Sequence, residues 1–137
     1  MDAQRQEIIE TTDIRERLDI ASKGQMKHFD GWTVSSLTAL GFTMDELYRF
    51  IAPRRTLARR IAKGERLTVA ENDSALRLMR VVEMADRVFE DPEKARRWLR
   101  KPNRGLDGIV PLDLLESETG ARLVEDVLHR IDHGIFA

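Results

Sequence analysis

The chain contains no cysteine. That excludes a disulfide framework, a thiol nucleophile and any Cys-ligated zinc or iron–sulfur site. Aromatic residues make up only 6% of the 137 residues, so a core has to be assembled from Leu, Ile, Val, Met and Ala. No apolar run approaches the roughly 18 residues that would span a bilayer, and the opening MDAQRQEIIE lacks the apolar stretch of a signal peptide. There is no Gly-rich phosphate loop, no G-x-S-x-G nucleophile and no His beside a plausible nucleophile. Nor does any run of alternating β-branched residues lie between turn signals. The expectation is a soluble, cytoplasmic, all-α protein without catalysis, cofactor, metal or membrane partner, formed as one domain or as two small ones sharing a core.

Charge is nearly balanced, 23 Lys+Arg against 24 Asp+Glu, but it is segregated. Residues 53–66 carry Arg54, Arg55, Arg59, Arg60, Lys63 and Arg66 against Glu65 alone, and residues 94–104 carry six cations and no acid. The stretch 111–137 reverses the sign, with Asp113, Glu116, Glu118, Glu125, Asp126 and Asp132 facing only Arg122 and Arg130. Segregation of this kind suggests separate surfaces for separate partners, although each run taken alone also fits a solvated helix face.

Helical signals continue along the chain. Residues 1–30 form an N-terminal extension with a weak stripe, Ile8, Ile14 and Leu18, that needs a partner surface, such as a second copy of the chain, to become a helix. Thr33 to Leu40 places Val34, Leu37 and Leu40 on one face and stops at Gly41. Thr43 and Glu46 have the spacing of a capping box, opening a helix that buries Leu47 and either Phe50 or Ile51. Pro53 suits a first helical position, and the helix it begins turns Leu57 and Ile61 inward before Gly64. A second capping box, Thr68 to Glu71, starts the longest helix, which reaches about Glu90 with a broad apolar face. Asp91-Pro92 caps and starts the next, with Trp98 and Leu99 inward; residues 102–108 form a loop and Pro111 begins a short turn. The last helix runs from about Ser117 to His133, with Gly134 as its terminator.

Two short helices, 43–50 and 53–62, joined by Ile51-Ala52-Pro53, have the layout of a helix-turn-helix, here without the glycine common in that turn. In that motif the start of the second helix enters the major groove. Arg54 and Arg55 would then read guanine edges, with Thr56 and Arg59 alongside, and Arg60, Lys63 and Arg66 would hold phosphates. A basic αα-hairpin with no DNA partner is the alternative. Asp126, His129 and His133 also share one face of the last helix at a spacing that would suit zinc, but no fourth ligand accompanies them, and His is favoured at a helix C-terminus by the macrodipole.

Residues 55–89 resemble the middle of Xre/MbcA/ParS-type antitoxins. The resemblance extends through Trp98-Leu99, Pro102-Asn103, Pro111-Leu112-Asp113-Leu114-Leu115, Gly120-Ala121 and Arg130-Ile131 before Gly134. The order of these short motifs within about 40 residues is more specific than any one of them. The resemblance covers roughly 43–137, and residues 1–30 have no counterpart in it. The expected organisation is an all-α chain in three parts: the extension 1–30, a helix-turn-helix unit 31–70 and a toxin-binding domain 71–137 sharing the long helix. The resemblance also implies function. Such proteins are antitoxins of type II toxin–antitoxin modules that repress their own promoter and cover the active site of a RES-domain toxin, which consumes or uses NAD⁺. Homodimers and operator DNA are the further partners expected.

Under that resemblance the C-terminal end is the expected toxin contact: Arg130, His133, Gly134, Ile135, Phe136 and Ala137, with Ile135 and Phe136 inserting into the toxin cleft while nearby acids meet its basic rim. Two structural alternatives stand beside it. Ile135 and Phe136 would cap the chain's own core after the terminating glycine, and Arg130 would pair with Asp126 on its own helix. A stand-alone helix-turn-helix regulator and a small helical metal protein using Asp126, His129 and His133 are the competing functional readings.

Overall fold

The computed structural model describes residues 29–134. The expected extension at 1–30, save its last two residues, and the tail Ile135, Phe136 and Ala137 lie outside the described residues. The fold is all-α: among the described residues the only β pairing consists of two isolated bridges, Asp30 with Arg66 and Asn103 with Ile109. No described helix is long and apolar enough to cross a membrane. The chain divides into two compact units, the first ending at Ala75 and the second beginning at Leu76.

In the first unit, Asp30 caps α1 (Gly31–Ser35) by accepting the Thr33 N–H at 2.7 Å. The single helix expected over Thr33–Leu40 is instead α1 followed by a 3₁₀ turn, Ser36–Leu40. Hydroxyls explain the tightening: Ser35 donates to the Trp32 carbonyl and Thr38 to the Ser35 carbonyl, local bonds that compete with the α-helical ladder. Gly41 ends the turn at φ 101, where L side chains are disfavoured.

Helix α2 (Met44–Phe50) starts with both halves of the Thr43–Glu46 capping box in place. Phe50 and Ile51 are both buried, where the helical spacing called for one or the other. Helix α3 spans Arg54–Lys63, one residue later than expected, because Pro53 adopts an extended ψ of 152° and becomes the cap, its carbonyl accepting the Leu57 N–H. Leu57 is fully buried, whereas Ile61 is only partly so. Residues 29–31 run antiparallel to 65–67, with Gly31 N–H donating to the Glu65 carbonyl and Leu67 N–H to that of Phe29. The buried Asn72, on α4 (Val69–Phe89), accepts the Phe29 N–H at 2.9 Å. A side chain on Gly31 would put its Cβ 1.8 Å from the Arg60 carbonyl oxygen, so α1 meets α3 backbone to backbone.

The second unit takes its core from Leu78, Met79, Val81, Val82 and Ala85 of α4, Ala95 and Leu99 of α5 (Pro92–Leu99), and Val124, Val127 and Leu128 of α6 (Glu118–Asp132). Asp91 caps α5 with Pro92 at its start, as expected. Trp98 is a correction. It is half-buried, not an inward anchor, and its ring lies 5.5 Å from that of Phe89. The expected loop at 102–108 contains a 3₁₀ turn, Arg104–Leu106, and Pro111 starts another, Pro111–Leu114. Ser117 caps α6, and Gly120 lets that helix approach the turn before it, since an added Cβ would lie 2.0 Å from the Leu114 carbonyl oxygen.

Candidate functional site

The first surface is the α2–α3 pair. Its turn needs no glycine: Ile51 is at φ -102, and neither it nor Ala52 adopts a positive φ. Both residues are instead buried, so the turn is held by apolar packing. Arg54, at the start of α3, pairs with Asp45 at 3.1 Å, and its guanidinium carbon lies 4.8 Å from the Tyr48 ring centre. Arg55 is exposed and makes no hydrogen bond or ion pair among the described residues. Thr56 is half-buried, and Lys63 is exposed on the last turn.

Arg59 and Arg60 are adjacent in sequence but differently placed. The Arg59 Nε–H donates to Glu65 Oε1 at 3.0 Å at the surface. Arg60 is only 14% exposed; its Nε lies 2.8 Å from Glu71, the capping-box carboxylate of α4, and its Nη1 reaches the Arg66 carbonyl. That arrangement ties the end of α3 to the start of α4 and takes Arg60 out of the exposed basic face on which it was expected to hold phosphate. The hydrogen bond from Arg59, joined by the charges of Arg59, Arg60 and Lys63, holds the Glu65 carboxyl below the usual carboxylate range.

The second surface is the end of α6. Arg130 and His133 are both exposed, and no ion pair joins Arg130 to Asp126. His133 Nδ1 lies 2.8 Å from the His129 carbonyl oxygen, and the two imidazoles are 4.2 Å apart. Asp126, His129 and His133 do not assemble into a metal-holding group; among the described residues there is no such cluster of three. Gly134 follows at φ 65 in open space, the left-handed geometry expected of a terminator.

Sequence reasoning missed the polar cluster of this unit. Arg80 Nη2 donates to both oxygens of Glu118, at 2.6 and 2.9 Å, and to Glu125 at 3.0 Å. Burial works against the Arg80 charge, but the hydrogen bonds to Glu118 and Glu125 outweigh it and raise its pKa. Arg80 lowers the Glu118 carboxyl in turn, chiefly through the hydrogen bond. Glu118 also stands in the first turn of α6, where a carboxylate complements the helix N-terminus. The signal available was its i, i+7 relation to Glu125, which puts two acids on one face of α6, against the arginines Arg77, Arg80 and Arg87 of α4.

Comparison with known proteins places these features. Residues 84–134, covering α5 and α6 with the turns between, match the family described as the antitoxin Xre/MbcA/ParS C-terminal toxin-binding domain. An antitoxin Xre of Pseudomonas putida is 39% identical over 61% of this chain and 53% of its own length. An antitoxin Xre of Yersinia enterocolitica is 40% identical over 62% of this chain and 58% of its own. A Prs ADP-ribosylating antitoxin of Sphingobium sp. is 31% identical over 60% and 57%. The chain therefore spans little more than half the length of these curated relatives. A chain from the crystal structure of the M. tuberculosis MbcT–MbcA toxin–antitoxin complex superposes with a TM-score of 0.61 at 25% identity, over 78% of this chain and 96% of that one. Residues 84–134 thus resemble the Xre/MbcA/ParS C-terminal toxin-binding domain, and the chain that carries them is similar in sequence and fold to Xre-type antitoxins.

Proposed function

We propose that this chain is the antitoxin of a type II toxin–antitoxin pair, that its second unit neutralises a RES-domain, NAD⁺-consuming toxin by covering the active site, and that its α2–α3 pair represses its own operon. The observation that carries the proposal is the coincidence of the toxin-binding family match, 84–134, with a compact structural unit. Arg130 and His133 are exposed where α6 ends, and Gly134 leads directly to Ile135, Phe136 and Ala137. Gly134 itself is exposed and left-handed, with open space where a side chain would stand. For operator DNA, the support is a tight turn followed by a helix whose exposed cations are Arg54, Arg55, Arg59 and Lys63, with Thr56 between them. Binding as a dimer to two half-sites would supply the affinity that one short helix lacks. This function needs no catalysis or cofactor from the chain and operates in the cytoplasm.

The experiment is co-expression with the product of the adjacent gene, following growth, intracellular NAD⁺ and co-purification. The proposal requires the neighbour alone to deplete NAD⁺ and arrest growth, and this chain to rescue growth and co-purify. A chain ending at His133 should stay folded and lose neutralisation. Retained neutralisation moves the toxin contact away from residues 134–137. A harmless neighbour with nothing co-purifying leaves a stand-alone DNA-binding regulator.

A further inference from the structure

The cations of α3 divide into two sets. Arg54 lies against Tyr48 and Asp45, and Arg60 is locked on Glu71. Arg55, Arg59 and Lys63, at i, i+4 and i+8, are all exposed and form a row along one edge of the helix. The middle member of that row is already occupied by Glu65.

Glu65 is held there by its backbone. Its carbonyl accepts the Gly31 N–H at 2.8 Å, its own N–H donates to the Arg60 carbonyl at 3.0 Å, and the residue before it, Gly64, is in the left-handed conformation that ends α3. The residue is therefore anchored beside the basic row, and its carboxylate needs only its own side-chain torsions to reach Arg59. A carboxylate and a phosphate offer a guanidinium the same anionic acceptor geometry, so a DNA backbone approaching α3 meets an acceptor already in its place.

We infer that Glu65 is an intramolecular competitor for the DNA-facing row of α3, so that Arg59 engages a phosphate only by exchanging the Glu65 carboxylate for it, while Arg55 and Lys63 engage without exchange. This rests on the reading of α2–α3 as a DNA-binding helix-turn-helix. Duplex DNA is the occupant because a helix following such a turn lies in a groove walled by phosphates on both sides, complementary to a cationic row. Exchange has a thermodynamic signature. An arginine that leaves one anion for another yields less net counterion release than one that was unpaired, so Glu65 should flatten the salt dependence of binding as well as weaken it.

The test titrates the full chain against a fluorescent duplex spanning its own promoter, at several salt concentrations between about 50 and 200 mM. Glu65→Gln should tighten binding about two- to fivefold at low salt, the range an exposed ion pair commands. It should also steepen the slope of log K against log salt by about one. Glu65→Ala should do the same, and both variants should melt as the parent does because the backbone bonds of residue 65 survive. In an Arg59→Ala background Glu65→Gln should add nothing. Weakened or unchanged binding in Glu65→Gln overturns the inference, and so does a gain that persists undiminished in the Arg59→Ala background. If the unaltered chain binds no duplex, the helix-turn-helix reading itself is what fails, and the inference falls with it.

Discussion

Arg80 on α4 holds Glu118 on α6 through a single nitrogen, Nη2, which donates to both carboxylate oxygens, at 2.6 and 2.9 Å. The same guanidinium reaches Glu125 two turns further along α6 through Nε and Nη2. One side chain thus ties a whole face of α6 to the long helix. Its three members are between 25% and 42% exposed, so water offsets part of the attraction. Arg80→Met is expected to cost about 1–2 kcal/mol of stability at low salt. Thermal unfolding at low and at 1 M salt checks it, since the penalty should shrink where the screening length falls to about 3 Å.

The pH dependence of stability separates two carboxylates of opposite sign. Arg80 lowers the folded-state pKa of Glu118, so Glu118 stabilises the fold above its ordinary unfolded value, and that contribution disappears as the pH falls through the folded value. Asp86 is raised by burial, only partly offset by the Arg96 charge, and its Oδ1 has no hydrogen-bond partner. Its ionised form costs stability at neutral pH, and the cost vanishes once the pH drops below the ordinary aspartate value. Glu118→Gln should therefore lower Tm at pH 7 and Asp86→Asn should raise it. The Asp86→Asn difference should be gone by about pH 4, whereas the Glu118→Gln difference should fade only as the pH falls below that. Parallel shifts that persist on acidification would show that packing, not charge, separates the variants.

Gly31 and Gly108 differ in what a methyl group would meet. At Gly31 the new Cβ collides with the Arg60 carbonyl, an atom fixed by its place in α3. Gly31→Ala should cost ~3 kcal/mol or more. Gly108 sits at φ 82 with nothing within 4 Å, so Gly108→Ala carries only the conformational penalty, about 1–2 kcal/mol. Denaturant unfolding of the two variants should rank them in that order.

Trp98→Ala tests the half-buried position found for this ring. A fully buried anchor would cost ~3–5 kcal/mol. A ring packed on Phe89 at 5.5 Å and open to water on its other side should cost about 1–3 kcal/mol. The fluorescence maximum of Trp98, isolated in a Trp32→Phe background, should lie between the buried and solvated limits.

Local chemistry determined much of this protein from sequence alone. Two capping boxes, the Asp91-Pro92 start, the terminating glycines at 41, 64 and 134, and the apolar face of the long helix each depend on residues within a few positions of one another, and they stand where the sequence put them. The ordered motifs from Trp98 to Gly134 were legible for the same reason, and they lie within the stretch that matches the toxin-binding family model. Tertiary structure decided what lay beyond that reach. Whether Arg59 or Arg60 faces water, whether Glu118 serves its helix end or Arg80, and whether Trp98 goes under or stays at the surface are settled by residues from 6 to 38 positions away. Asn72 and Gly31 carry no local signal, because their tasks, accepting the Phe29 N–H and admitting the Arg60 carbonyl, exist only once distant backbone arrives. Helical periodicity specifies which side of a helix is apolar; the partner of a charged or small residue is set by packing, and packing is not periodic.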